Sequence, residues 1–549
     1  MQLSPKPHYW FLLVLGFLLS ACGGDNPRPT VKNAKQDTPV AKPGQYYQEA
    51  LRPQIHLTPE KNWMGAPSGL VFLKGIYHLF YQSNPMGLEN SDMHWGHATS
   101  RDLVQWAHHD AALAPDKLGT ILGGSVVVDD DNSSGFGTAN NPALIAIYTQ
   151  NSEAGEKNGD LDFQNQSMSY STDGGFTWTP YKGNPVLANP NSKDFRDPKV
   201  VWHKESKRWV MALAASDRVK FYTSPDLKEW EFASDFEPIV ASRSGVLESP
   251  ELFPIRDDRT GELRYVLLVS IKAGAPNGGS GTSYFVGSFD GTQFTLSAGQ
   301  REPRWLDYGT DDYGFVTFSN APTSAGRQLG IGWMSNWEYA QKVPTGDWKG
   351  AMTTARVLTL HNTEEEGFLL RSKPVPDHLK IRERKARFNR LTNLVPTDLY
   401  RTLGDWAIDP LEISMATPSG ETPNFTFELA STGGDTVTFG YDKAAAEYFI
   451  DRTKINSRAW SKTFATRHTA KRKAWTKDPF LNILLDRTSI ELFGDGGFTP
   501  LTDLYFLKGE LTSIKLYGDE GINGTIFELG QILPTPVSVS RVQRPNLGF

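Results

Sequence analysis

At 549 residues the chain is too long for one ordinary domain and predicts two folded units with ample core. Fifteen Trp and fifty Gly point to turn-rich β structure with many aromatic surfaces. A net charge of −6 argues against a nucleic-acid partner, and a single cysteine excludes any intrachain disulfide.

The first 21 residues carry Lys6 and His8, an apolar run from Trp10 to Leu19, and then small residues. That is the tripartite form of an export signal, and the run is too short to span a membrane. Cys22 follows Leu19, Ser20 and Ala21, which resembles the lipobox of bacterial lipoproteins. The expectation is an exported bacterial lipoprotein, lipidated at Cys22 and held at the periplasmic face or cell surface by that anchor alone. Residues 22–50 are rich in Pro, Lys, Asp and Gly and read as a flexible tether.

From Asn62 to Leu70 a turn of Trp, Met, Gly, Ala, Pro and Ser leads into the alternating apolar run Leu70, Phe72, Ile76, His78, Phe80. Pro and Gly punctuation followed by period-two alternation predicts a loop feeding a strand. Short strands separated by Gly, Asn, Asp and Pro turns continue to about Trp337. A cryptic repeat runs through them. Ser100-x-Asp102, Ser171-x-Asp173, Ser224-x-Asp226 and Ser288-x-Asp290 each precede an aromatic residue, and they recur after roughly 50 to 70 residues. One four-stranded blade per period explains this, because a blade cannot bury both faces without neighbours. The four copies, with the strands around Phe315 and Ile331, predict a five-bladed β-propeller over residues 51–372. The Ser-x-Asp turns read as structural, tying hairpins through side-chain to backbone hydrogen bonds. Pro374, Pro376 and a charge run then predict a linker over 373–389, and renewed alternation predicts a β-sandwich over 390–549. The fold class is therefore all-β.

Several patterns carry a blander reading than chemistry. Gly278, Gly279 and Gly281 lead into a strand, not a helix, so they form no phosphate cradle. His94 and His97 lack partners at metal-ligand spacing, and Asp129 to Asp131 read as a hairpin tip, so no metal and no cofactor are expected. Lys471, Arg472 and Lys473 form a run short enough to be a solvated loop. Two motifs remain. Arg196-Asp197-Pro198 and Leu247-Glu248-Ser249-Pro250-Glu251-Leu252 each place an acid at a strand entrance, at equivalent blade positions.

Together with the run from Arg52 through the Trp63 turn, and with Asp486 to Phe493, these segments resemble glycoside hydrolase family 32, the invertases, inulinases and levanases. The resemblance covers nearly all of the chain beyond residue 50. It implies Glu248 as general acid/base, Asp197 as the carboxylate that grips ring hydroxyls and steadies the transition state, and Arg196, Gln82, Trp95, Tyr313 and Trp333 lining the sugar pocket. Its hallmark W-M-N-D-P-N-G is present only as a frame. Where the family places its aspartate nucleophile stands Ala66, with Gly65 and Ser68 in place of asparagines. Leu122-Gly123 replaces a common Phe-Ser, Leu247 replaces a Trp, and Ser249 replaces a Cys.

Retaining glycosidases need two carboxylates about 5 to 5.5 Å apart, one of which forms a covalent glycosyl intermediate. A methyl group does neither job. Loss of a nucleophile costs on the order of 10⁶ in rate in a protease, whereas hydroxyl contacts and stacking lie elsewhere. The first expectation is a lipoprotein that binds fructan-type β-fructofuranosides (levan, inulin or sucrose-like) with little or no hydrolysis. The second is a working β-fructosidase that uses Glu248 with a displaced nucleophile or an inverting water. Recognition of another glycan is a third.

Overall fold

The computed structural model describes residues 46–238, 246–324, 326–390, 392–404, 409–415, 422–476 and 481–532. The expected signal segment, Cys22 and nearly all of the tether lie outside the described residues.

Residues 62–374 form five antiparallel blades. Blade 1 comprises β1 (Asn62–Leu73), β2 (Ile76–Asn84), β3 (His94–Ser100) and β4 (Ala107–Leu113). Blade 2 comprises β5 (Thr120–Asp129), β6 (Ala143–Asn151), β7 (Gln164–Ser171) and β8 (Thr179–Pro180). Blade 3 is β9 (Phe195–His203), β10 (Arg208–Ala215), β11 (Arg218–Ser224) and β12 (Glu231–Phe236). Blade 4 is β13 (Leu247–Arg256), β14 (Leu263–Ile271), β15 (Gly281–Phe289) and β16 (Phe294–Leu296), with β17 (Arg304–Trp305) also paired to β15. Blade 5 joins β18 (Tyr313–Thr317) and β19 (Gln328–Trp333) to β21 (Arg356–Thr363) and β22 (Gly367–Pro374), while β20 (Trp348–Lys349) adds a short parallel edge to β1.

The first strands of the blades pack in a closed ring, β1 on β5, β5 on β9, β9 on β13, β13 on β18 and β18 on β1. What closes the ring is apolar packing between blades. Val71, Phe80, Val126 and Leu144 join blades 1 and 2, and Val127, Ile145, Val200 and Met211 join blades 2 and 3. Val210, Ala212, Leu252 and Leu267 join blades 3 and 4, Phe253, Val266, Phe315 and Leu358 join blades 4 and 5, and Leu70, Leu79, Val316 and Ile331 return to blade 1. Successive residues of β10 face opposite neighbours, so its run Trp209 to Ala215 is apolar throughout instead of alternating. A strand buried on both faces has no polar side to show.

The Ser-x-Asp turns follow the third strand of blades 1 to 4. In blade 1 the Ser100 hydroxyl accepts from the Leu103 N–H at 2.8 Å, and Asp102 accepts from Gln105 N–H at 2.8 Å; blade 3 repeats this with Ser224 and Asp226.

Two six-stranded antiparallel sheets with a large shared apolar core follow. They begin earlier than the sequence suggests. The expected linker over 373–389 contains the end of β22, a short 3-10 turn (Pro376–Ile381), and then β23 (Arg382–Asn389), an edge strand of the sandwich. Its charges belong to the sheet: Arg382 pairs with Glu412 and Arg384 with Glu528. A charge run on an exposed edge strand guards against edge pairing and reads, from sequence, like a loop.

Candidate functional site

Each of the five ring strands breaks register near its N-terminal end. The breaks fall at Met64–Pro67 in β1, Ile121–Gly124 in β5, Arg196–Lys199 in β9, Glu248–Glu251 in β13 and Tyr313–Val316 in β18. A bulge upsets the in–out alternation and re-aims a side chain. Three of the breaks hold an X-Pro step (Ala66-Pro67, Asp197-Pro198, Ser249-Pro250), where proline has no N–H to give to a ladder. Asp197 (φ 63°), Ser249 (φ 46°) and Gly314 (φ 59°) adopt left-handed backbone. For the two non-glycine residues this costs on the order of 1–3 kcal/mol each and needs support. The Asp197 N–H donates to Thr149 Oγ1 at 2.9 Å, and the Ser249 N–H donates to Asp197 Oδ2 at 3.0 Å, so the two bulges hold each other.

Blades 3, 4 and 5 thereby deliver Arg196, Asp197, Glu248 and Tyr313 to one cluster, all four of them buried. Glu248 Oε1 accepts from Arg196 Nε at 3.0 Å and forms ion pairs with Arg196 Nη2 and Lys272 Nζ, each at 2.9 Å; the Tyr313 hydroxyl donates to Oε2. Arg196 Nη1 also reaches Asp194 at 2.6 Å. The two acids are shifted in opposite directions. Burial and then the neighbouring Glu248 push Asp197 up to about 6, against the pull of Arg196. Burial pushes Glu248 upward as well, but Arg196, Lys272 and the Tyr313 hydroxyl outweigh it and hold Glu248 below its usual value.

Ala66 packs among Trp63, Met93, Tyr313 and Trp333, with Leu122 and Trp337 against the same cluster. The rings of Trp63, Trp333, Trp337 and Tyr313 stand 5.0–6.4 Å apart, and Trp333 Nε1 donates to the Met64 carbonyl at 3.0 Å, holding the turn before Ala66. A Cβ on Gly314 would lie 3.0 Å from the Ala66 Cβ, which places the blade 5 bulge directly against Ala66. A Cβ on Gly65 would lie 3.1 Å from Gln82 Cβ, which puts half-buried Gln82 beside the same turn. A Cβ on Gly123 would sit 2.4 Å from Asp197 Oδ1; that carboxylate fills the space a side chain at 123 would need.

The structure thus gathers Ala66, Arg196, Asp197, Glu248, Gln82 and Tyr313 at the bulged ends of the ring. Trp333 joins them in the aromatic cluster around Ala66, and one expected lining residue stands differently: Trp95, which is 0% exposed. Trp95 lies in the core between blades 1 and 2 and donates to the Leu122 carbonyl at 2.7 Å, so it supports the wall from behind. Sequence reasoning missed Lys272, Trp63 and Trp337. Trp63 stood in view within the opening turn. Lys272 carries no local signal: it follows β14, and only the pairing Leu247↔Ile271 and Glu248↔Ser270 brings it to Glu248. The departures at 65, 66, 68, 122, 123, 247 and 249 all fall at or beside the bulges of blades 1, 2 and 4.

Of the patterns set aside, Asp129 accepts four hydrogen bonds from Ser133 and Ser134 at a hairpin tip. His97 stacks between Phe80 and His109 and meets His78 Nε2-to-Nδ1 at 3.1 Å. Among the described residues no group of His, Cys, Asp and Glu has metal-binding geometry.

The sequence profile described as the glycosyl hydrolases family 32 N-terminal domain matches residues 56–373, and the family's C-terminal profile matches 380–531. A levanase of Bacillus subtilis (strain 168) is 42% identical over 480 residues, covering 87% of this chain and 69% of the levanase. An extracellular exo-inulinase of Aspergillus niger is 35% identical over 506 residues, covering 86% and 93%. Among solved structures, the exo-inulinase from Aspergillus awamori superposes with a TM-score of 0.78 at 31% identity, covering 89% of this chain and 100% of that one. A glutamate-to-alanine fructofuranosidase variant from Schwanniomyces occidentalis, complexed with fructosylnystose, gives 0.77 at 31%, covering 89% and 99%. With both halves of the chain matched and the propeller and sandwich in place, this protein belongs to glycosyl hydrolase family 32.

Proposed function

We propose that this chain recognises fructan-type β-fructofuranosides and turns them over slowly or not at all. The observation that carries the reading is the division of the ring. Blades 3, 4 and 5 bring Arg196, Asp197, Glu248 and Tyr313 together, while the blade 1 bulge presents only the Ala66 methyl among aromatic rings. In this reading Asp197 and Arg196 hold ring hydroxyls, Glu248 stands at the leaving-group oxygen, and no carboxylate is supplied by position 66 to form a glycosyl intermediate. Buried donors without partners support a polar ligand: Trp63 Nε1, Trp337 Nε1 and Ser68 Oγ make no hydrogen bond within the protein. Each such group costs about 1–3 kcal/mol, which a sugar hydroxyl would relieve. The complex of a glutamate-deleted fructofuranosidase with fructosylnystose supports the separation of binding from one carboxylate.

The test uses chain lacking residues 1–22. Calorimetry with levan and inulin should register binding, and long incubation should release no fructose. Arg196→Ala should weaken binding by roughly 1.5–3 kcal/mol, the worth of a charge-assisted hydrogen bond. Steady fructose release that survives repurification and vanishes in Glu248→Gln would replace this reading with that of a working β-fructosidase. We infer further that the chain is exported and anchored through a lipid on Cys22; Cys22→Ala should move it from the membrane fraction to the soluble one.

A further inference from the structure

The reading above leaves Glu248 waiting at a glycosidic oxygen. A general acid must carry a proton and aim it at that oxygen, so the carboxyl needs a site free of other donors. Around Glu248 only donors gather. Oε1 accepts from Arg196 Nε and stands 2.9 Å from both Arg196 Nη2 and Lys272 Nζ, while Oε2 takes the Tyr313 hydroxyl and keeps one lone pair. Every one of these groups gives a hydrogen and none can accept one except the tyrosine oxygen, whose own proton is already committed to Oε2.

Lys272 is the unexpected member. It follows β14 directly, and its backbone N–H donates to the Val246 carbonyl at 3.3 Å, which fixes its place beside the start of β13. Its ammonium lies 5.2 Å from the centre of the Trp337 ring, a cation–π contact, while its side chain stays 41% exposed at the rim. Two holds on a rim lysine, one aromatic and one ionic, make a built position.

We infer that Lys272 is a positioning residue that, with Arg196, holds Glu248 as a charged acceptor flanked by two cations, so that the leaving-group oxygen of a bound fructoside finds no proton there. The site is then silent for two independent reasons, the methyl at 66 and the ammonium at 272. Both act in one direction on Glu248: the first removes a neighbouring negative charge that would favour its protonated form, and the second adds a positive charge that disfavours it. The groups facing Glu248 are Arg196 and Asp197 from blade 3, Lys272 from blade 4 and Tyr313 from blade 5; burial and the like-charged Asp197 oppose ionisation, and the other three favour it. The inference rests on the fructoside reading for the identity of the ligand, not for the state of the carboxylate.

Two measurements test it. The first follows the ¹³C-labelled Glu248 carboxyl, assigned with Glu248→Gln, through a pH titration. Lys272→Met should raise the midpoint by about one unit, and Lys272→Arg should leave it in place. The second starts from chain with Gly65→Asn, Ala66→Asp and Ser68→Asn together and compares sucrose with fructosyl fluoride, a substrate whose leaving group needs little protonation. Adding Lys272→Met should raise sucrose cleavage at least tenfold and change fluoride release less than twofold; adding Lys272→Arg should raise neither. An unmoved midpoint overturns the inference, as does equal sucrose cleavage with and without Lys272. Calorimetry of the unmodified chain separates the two readings: a moved midpoint without fructan binding sinks the proposed ligand and leaves the Lys272 inference standing.

Discussion

Arg356, at the junction of propeller and sandwich, and Arg196, in the ring of bulges, are both buried arginines facing several carboxylates, yet they serve different ends. Arg356 spans Asp307 and Asp312 of the propeller and Glu491 of the sandwich at 2.8–2.9 Å. The carboxylates around it are filled from the backbone as well: Asp307 accepts from the Gly309 and Thr502 N–H groups, and Glu491 from Thr354. Nearby, Asp486 gathers the Gln54 and Ile55 N–H groups and the His56 ring. This is charge used to fix one orientation of two domains. Burial lifts a carboxyl in both places, Asp312 at the joint to about 7 and Asp197 in the ring to about 6. The ring differs in its backbone and its access: Asp197 and Ser249 stand in left-handed conformation at bulged strand ends, beside a lysine that is 41% exposed at the rim. A shifted carboxyl marks a place for a ligand when it also stands on strained backbone at an open end.

The largest expected effect lies at the joint. Arg356→Met leaves buried Asp307 and Asp312 without their cation and Glu491 with His56 alone, and should cost about 3–5 kcal/mol in denaturant unfolding. A loss under 1 kcal/mol would break the contrast at its strong end.

The next concerns His56. Burial alone would lower its pKa, but hydrogen bonds and charge from Asp486 and then Glu491 lift it to about 9. The folded value lies above the unfolded one, so its contribution is complete below about pH 6.5 and is lost as pH rises through about 9. That contribution is on the order of 3 kcal/mol. Thermal unfolding followed from pH 6 to 10 should show this decline, and His56→Gln should flatten it.

In the ring the sign reverses. Asp197 is an acid with a raised folded pKa, so the folded state loses stability as pH rises from about 4 to 6. Asp197→Asn should therefore stabilise the chain at pH 7 by about 1–3 kcal/mol while weakening fructan binding, a trade that a purely structural carboxylate would not show. The smallest effect follows from the same group. Fructan affinity should rise severalfold between pH 5 and 7 as Asp197 ionises and accepts hydroxyl hydrogens more strongly, worth about 1 kcal/mol. A flat calorimetric profile would place the grip elsewhere.

The propeller was legible because its turns are written locally: Ser100, Ser171, Ser224 and Ser288 each announce a third strand. Blade 5 uses Thr363, whose hydroxyl accepts from Glu366 N–H and donates to the Gly367 carbonyl, and so escaped the pattern. Asp197 and Glu248 were legible because each stands at a strand entrance, at equivalent blade positions, in a segment that resembles family 32; the bulges that re-aim them show only in the strand pairing. Lys272 was not, because strand pairing alone carries it to Glu248. The edge strand Arg382–Asn389 was hidden because its arginines find Glu412 and Glu528 only across a sheet.

The glycine at 123 limits repair as much as geometry. With Asp197 Oδ1 2.4 Å from where a Cβ would stand, a side chain fits at 123 only if the aspartate turns aside. The aspartate in turn is held by the Ser249 backbone N–H, a donor that any residue but proline supplies at 249. A carboxylate at 66 asks for one substitution, whereas a serine at 123 asks the group opposite it to move as well.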